Sequence, residues 1–439
     1  MTNNAYQAVR TEHPLTGCKC CTVHHPSGLT VCVGEQPGFH TAAMRLAVRF
    51  GASDTHYRAN GSEYSLLPGT AHFLEHQLFE NKDVHAMAAF DALGASSNAS
   101  TGSCCTTYKA ETARNAREVL ALLLKTVQEP QFTAKTVEKE RGIIAHELRM
   151  RQDAPFYAVA RRAKELRYPG HPLAEDPIGT LRSIGAITPE HLTQAHTHWY
   201  HPSNMLLSCA GNITLDEVME TVDRTVKTLP LAETESLLPP VPLIPPQPSL
   251  YAPEKMAVMP IVQLMFTVGT EQTPPQTQLR DTLYTRLAYE LIFGDISVFA
   301  EKMRATHQIL DSLSYSGSVY PQFRDVQIYA HSVSEPERYM AAVFAELDRV
   351  SRDGLDRELF RIAKRSAYAN ACCSQNTPEQ FAKLMESAWL GNVPMFSAVQ
   401  LLADCTLDTV QNTLPELFPK EQCFRLIMMP DESGEEGEL

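Results

Sequence analysis

Apolar and polar positions fall into two periods along the chain. "GLTVCVGEQ" (28–36) and "TAAMRLAVRFGAS" (41–53) alternate or run apolar between glycines and prolines, the pattern of strands. "DVHAMAAFDAL" reads as a helix that Gly94 ends, and "SSNASTGSCCTTYKAET", rich in small and β-branched residues, reads as a strand after it. Each half then carries a long amphipathic helix pair, a further helix and an apolar strand. In the first half these are "AREVLALLLKTVQEPQFTAKTVEKERGIIAHELRM" and "HLTQAHTHWYHPSNMLLSCAGN"; in the second, "YMAAVFAELDRVSRDGLDRELFRIAKRSAYANA" and "TVQNTLPELFPKEQCFRLIMMP". The shared order predicts a duplicated fold, with two unrelated domains as the alternative. Helices and strands mix without a strict βαβ rhythm, so the class is α+β rather than doubly wound α/β.

One segment interrupts the pattern. Leu229 to Pro260 holds nine of the 29 prolines, which excludes helix interior and central strand and favours an extended linker. A chain of 439 residues then divides into an N-terminal domain (1–230), a linker (231–255) and a C-terminal domain (256–439). A hydrophobic content of 44% against 20% charged supports a large core. The net charge of -13 argues against nucleic acid or an anionic membrane as partner. There are 11 cysteines, and "CKCC" (18–21) lacks the second Cys or His pair that a metal clip needs, so they read as ordinary thiols in a reducing compartment. The first residues carry no apolar core and no run of 18 apolar residues occurs, which predicts a soluble, cytoplasmic protein without a signal peptide. The acidic end "PDESGEEGEL" reads as a solvated tail.

The chemistry is concentrated in "GTAHFLEHQLFE" (69–80). The spacing predicts a helix capped by Thr70 and running to about Glu80. His72 and His76 are four apart and stack on one face, where two imidazoles can grip one metal ion. Glu75 lies beside them, placed to take a proton from a water. His-x-x-Glu-His inverts the commoner His-Glu-x-x-His zinc motif. The plain alternative is a half-exposed helix face with two histidines. A third ligand is available in "TAKTVEKERGIIAHELRMRQDAP": Glu140 and Glu147 are two turns apart and share a face. Ile144 between them, with Ile143 and Leu148 flanking, turns that face toward packed protein, while Glu138 and His146 fall off it. Spacing alone leaves both acids open as ligand.

Taken together, "TAHFLEHQLFE", "GASSNASTGSCCTTY" and "VEKERGIIAHELRM" resemble the pitrilysin/insulinase family of zinc peptidases, in particular its processing-peptidase-like bacterial branch, and "WYHPSNMLLSCAGNIT" supports the resemblance. The resemblance implies two similar α+β domains, each a mixed, largely antiparallel sheet with helices on one face, closing as a clamshell around a chamber, with the Pro-rich segment as hinge strap. It implies Zn²⁺ held by the N-terminal domain through His72, His76 and Glu147, with Glu140 orienting the site from behind and Glu75 as general base. It places Asn98 and Ala99 on an edge strand that pairs with the backbone of a peptide substrate. The implied activity is a zinc endopeptidase cutting small or unfolded peptides.

The second half departs from that pattern. Family members carry an Arg and a Tyr seven apart that stabilise the oxyanion; here Arg304 and Tyr315 are eleven apart, and the expected glycine is missing. They therefore read as ordinary residues, which predicts a dimer, either of identical chains or with a related zinc-less chain supplying the pair. Two other functions compete: a peptide-binding or assembly subunit with little activity of its own, and a structural zinc site drawing on Cys104 or Cys105.

Overall fold

The computed structural model describes residues 6–79, 86–229, 233–241, 249–255, 257–270, 273–320 and 322–431. Glu80, the first residues of "DVHAMAAFDAL", the heart of the Pro-rich segment (242–248) and the acidic tail from 432 onward lie outside them. Among the described residues, no helix is long and apolar enough to cross a membrane.

The chain forms two compact units. In the first, seven strands run in the order Val9–Glu12, Lys19–His24, Thr30–Glu35, Met205–Gly211, Ala42–Val48, Thr106–Thr112 and Ala95–Thr101. In the second, five run in the order Leu250–Glu254, Cys423–Pro430, Ile261–Gly269, Phe323–Ala330 and Ser314–Val319. From Thr30–Glu35 and from Leu250–Glu254 onward, the two sheets have the same topology. The first neighbour is parallel and each later one antiparallel. The similarity of order along the two halves is thus a repeat of one α+β unit, even where few residues match. "SSNASTGSCCTTYKAET" is two strands rather than one, a hairpin whose turn lies between Thr101 and Thr106.

Both sheets are covered on two faces, not one, and the second cover comes from the other half of the chain. Along Ala42–Val48, Met44, Leu46 and Val48 enter the main core beneath the Ala116–Gln128 and Leu215–Thr225 helices. Arg45, on the opposite face, meets the Pro378–Leu390 helix. In the second unit Val262, Leu264 and Phe266 face one core, while Ile261 and Met265 face Val159 and Ala163 of the Pro155–Arg167 helix. Segment 152–169 therefore belongs to the second unit and 372–395 to the first, which departs from the expected division at 230 and 256. Burial on both faces also explains why the central strands are largely apolar.

The expected linker is partly sheet. Thr234–Ser236 pairs with His56–Ala59, and Leu250–Glu254 pairs with Cys423–Pro430. Pro253 fits there because its strand is at an edge, where one backbone N–H has no ladder partner to lose.

Candidate metal and catalytic centre

The helix bearing His-x-x-Glu-His spans Thr70–Phe79. Its entry differs from the expected cap. Thr70 Oγ1 donates to the Leu67 carbonyl, and the first helical acceptor is the Gly69 carbonyl, bonded by Phe73 N–H. Gly69 has φ 89°, and a Cβ there would meet the Ile178 carbonyl oxygen at 2.6 Å, so only glycine enters the helix at this angle. Ala71, Phe73, Leu74 and Leu78 anchor the helix in the core. His72 is buried, while Glu75 and His76 are half-buried.

The Ala134–Gln152 helix supplies both acids. Val137, Ile144 and Leu148 are buried; Ile143, expected to flank the acids inside, is 44% exposed, because it lies off the Val137–Ile144–Leu148 face. Glu138 and His146 are exposed.

Three side chains converge. His72 Nε2 is 3.8 Å from Glu147 Oε1, and His76 Nε2 is 3.4 Å from Glu147 Oε2. The His72 and His76 rings are 4.7 Å apart. Among the described residues these three form the one group of at least three His, Cys, Asp or Glu able to hold an ion, with ligand atoms within 4.8 Å of one another. Cys104 and Cys105 do not join it: Cys104 lies 3.5 Å from Ser53 Oγ and Cys105 3.7 Å from Thr107 Oγ1. Ligand atoms about 2.1 Å from a tetrahedral zinc ion are about 3.4 Å apart, so two imidazoles and one carboxylate at these separations suit Zn²⁺ and leave a fourth position open.

Glu140 is 2% exposed, and its Oε2 accepts from His76 Nδ1 at 3.2 Å. That bond holds the ring and turns Nε2 toward Glu147. Burial, reinforced by the neighbouring His76, pushes His72 down to about 4, so it is neutral at pH 7 and able to donate a lone pair. Burial also acts downward on His76, but Glu140 and Glu147 outweigh it and hold that ring above its usual range. The hydrogen bond from His76 in turn draws Glu147 below its usual range. Arg151, one turn beyond Glu147, lies 2.6 Å from Glu147 Oε1.

Glu75 points to another element. Thr101 Oγ1 donates to Glu75 Oε2. Burial raises the carboxyl of Glu75 and the Thr101 bond partly offsets this. Neither Thr101 nor Arg151 was singled out by the sequence. Arg151 had a signal, the i,i+4 Glu–Arg spacing; Thr101 had only its strand parity. Asn98 and Ala99 lie on Ala95–Thr101, the edge strand of the sheet. Arg304 and Tyr315 are in the second unit with local partners: Arg304 Nη2 donates to the Asp295 carbonyl at 2.6 Å, and the Tyr315 ring lies 4.9 Å from Tyr289.

The chain is similar to known proteins along both of its halves. The model of the insulinase family, peptidase family M16, matches residues 34–178, and that of the M16 inactive domain matches 186–367. The uncharacterized zinc protease YmfH of Bacillus subtilis is 28% identical over 404 residues, covering 90% of this chain and 94% of that protein. The probable mitochondrial-processing peptidase subunit beta of Schizosaccharomyces pombe is 30% identical over 217 residues, 48% of this chain and 46% of its own. An M16-like peptidase from Alicyclobacillus acidocaldarius shares the fold with a TM-score of 0.85 at 23% identity, covering 97% of this chain and 99% of its own. With both halves matched by models of one family, the chain belongs to the M16, or pitrilysin/insulinase, peptidases.

Proposed function

We propose that this chain is a zinc-dependent endopeptidase acting on small or unfolded peptides. The observation that carries the reading is the convergence of His72 Nε2, His76 Nε2 and the Glu147 carboxylate, with Glu75 between the two histidines on the same helix. His72, His76 and Glu147 would hold Zn²⁺, which when bound supplies Lewis acidity toward a carbonyl and toward water. Glu140 holds the His76 ring in register through Nδ1. Glu75, lifted by burial toward the range where a base both takes and returns a proton, accepts the proton of the attacking water and passes it to the leaving nitrogen. An extended peptide adds to the open edge of Ala95–Thr101 at Asn98 and Ala99, through main-chain bonds that are nearly indifferent to side chains.

The reading extends to enclosure of the substrate in a chamber and to a dimer, with a second copy or a related zinc-less chain. The engagement of Arg304 by Asp295 supports an oxyanion stabiliser supplied by a partner. None of the 11 cysteines forms a disulfide, which supports a reducing compartment such as the cytoplasm. The same engagement of Arg304 favours one second reading, a peptide-binding subunit with little turnover of its own.

The deciding experiment is hydrolysis of an unstructured, quenched fluorescent peptide by the zinc-loaded chain, beside its Glu75→Gln variant. Cleavage by the parent only, with equal zinc in both, supports the peptidase. Loss of zinc in Glu75→Gln removes Glu75 from the role of base. Peptide affinity without cleavage selects the binding subunit.

A further inference from the structure

We infer that Thr101 is the positioning residue for the Glu75 carboxylate, and so ties the base to the strand on which the peptide lies. The inference rests on the peptidase reading above. Among the described residues, the Thr101 hydroxyl is the one hydrogen-bond partner of the Glu75 carboxylate. Two other groups of the centre are held more than once: His76 by Glu140 and Glu147, and Glu147 by His72, His76 and Arg151. A glutamate has three rotatable bonds, so a carboxylate held by a single donor takes its direction from that donor. By donating to Oε2, Thr101 leaves Oε1 to receive a proton.

The donor sits where the substrate is expected. Thr101 is the last residue of the Ala95–Thr101 strand, two beyond Ala99 and on the same face. The Ala99 N–H is bonded to Asn98 Oδ1 at 2.7 Å rather than to the neighbouring strand. It therefore points to the open edge, together with the Ala99 carbonyl, as the alternation of an antiparallel ladder requires. The strand thus offers main chain to a peptide at Ala99 and a hydroxyl to the base at Thr101. A peptide that pairs at Ala99 orders the segment that aims Glu75. Binding energy gained along the peptide is thereby expressed at the reacting bond.

The test compares Thr101→Val, which keeps the shape and removes the donor, with Thr101→Ser, which keeps the donor. For each, kcat and KM are measured on the quenched peptide, together with zinc content and with peptide affinity in a Glu75→Gln background. Thr101→Val is expected to lower kcat about 10- to 100-fold, with KM, affinity and zinc unchanged, while Thr101→Ser stays within about threefold of the parent. A kcat for Thr101→Val within twofold of the parent overturns the inference. So does a raised KM at unchanged kcat, or a failure of serine to restore turnover. If the parent itself does not cleave, the peptidase reading fails separately, and crystal structures of parent and Thr101→Val decide the positioning. A reoriented Glu75 carboxylate in the variant sustains it, and an unmoved one refutes it.

Discussion

Arg45 Nε lies 2.6 Å from Glu386 Oε2, joining a central strand to a helix 341 residues later in the chain. Both side chains are buried, Glu386 Oε1 also accepts from Thr107 Oγ1 at 2.8 Å, and Arg45 Nη1 reaches the half-exposed Glu379 at 2.9 Å. The second unit answers with the charges reversed between helix and sheet. There Arg167 at the end of the exchanged helix donates to Thr267, which donates to the buried Asp325. Removing one member of a buried pair strands the other without compensation. Glu386→Ala is therefore expected to cost about 3 kcal/mol, read as a drop in the urea midpoint, whereas replacing exposed Glu379 by alanine costs under about 1 kcal/mol.

The same helix docks through a missing side chain. Gly34 faces Phe381, and a Cβ there would come within 2.1 Å of the ring carbon Cε1. The fully buried ring has nowhere to retreat. Gly34→Ala is expected to destabilise by about 1–3 kcal/mol through overpacking. It should also make the chain around 372–395 the first site of limited proteolysis.

What the sequence could and could not reveal follows from the range of each interaction. The convergence of His72 and His76 is a four-residue spacing within one helix, so it was legible. The alignment of Glu140 and Glu147 was legible for the same reason. Which acid meets Nε2 and which meets Nδ1 depends on how two helices cross, and no period encodes that. The exchange of Pro155–Arg167 and Pro378–Leu390 was hidden because an apolar stripe declares that a face is buried without naming the sheet that buries it. The bond from Thr101 to Glu75 links positions on a strand and a helix, and parity places Thr101 beside Ala99 but not opposite Glu75. Ile143 was misplaced because consecutive apolar residues on a helix diverge by 100°, and Ile144 took the inward position.

Glu140 separates a structural carboxylate from one that supports a metal. Its Oε2 accepts from His76 Nδ1, and its Oε1 is buried with no hydrogen-bond partner among the described residues. Glu140→Gln keeps an acceptor and loses the charge; Glu140→Leu loses both. Partners behind a ligand are typically worth about 10- to 100-fold in metal affinity. Titration against a chromophoric chelator should show zinc binding weakened about tenfold in the first variant and more in the second, with the far-ultraviolet circular dichroism unchanged. Equal affinity in all three proteins would remove Glu140 from the centre.

His196 gives the fold an acid limit that is independent of the metal centre. Its Nε2 lies 2.8 Å from the Val127 carbonyl, which can only accept, so the proton is on Nε2 and Nδ1 is bare. The ring stacks on Tyr200 at 4.7 Å between centroids. Burial pushes it down to about 4 from an ordinary 6.5, and the carbonyl only partly opposes this. Because the folded state resists protonation, the unfolded chain binds the proton first as pH falls. The contribution of the neutral ring is complete above about pH 6.5 and is lost progressively down to about pH 4. Melting temperature should therefore decline through that window, and His196→Gln, which keeps a donor toward Val127 but cannot titrate, should flatten the decline while lowering the plateau at neutral pH. In the parent protein, the NMR titration of the His196 ring should show no midpoint above pH 5; a midpoint near 6.5 would mean the ring is solvated and would shift the origin of the acid limit to another group.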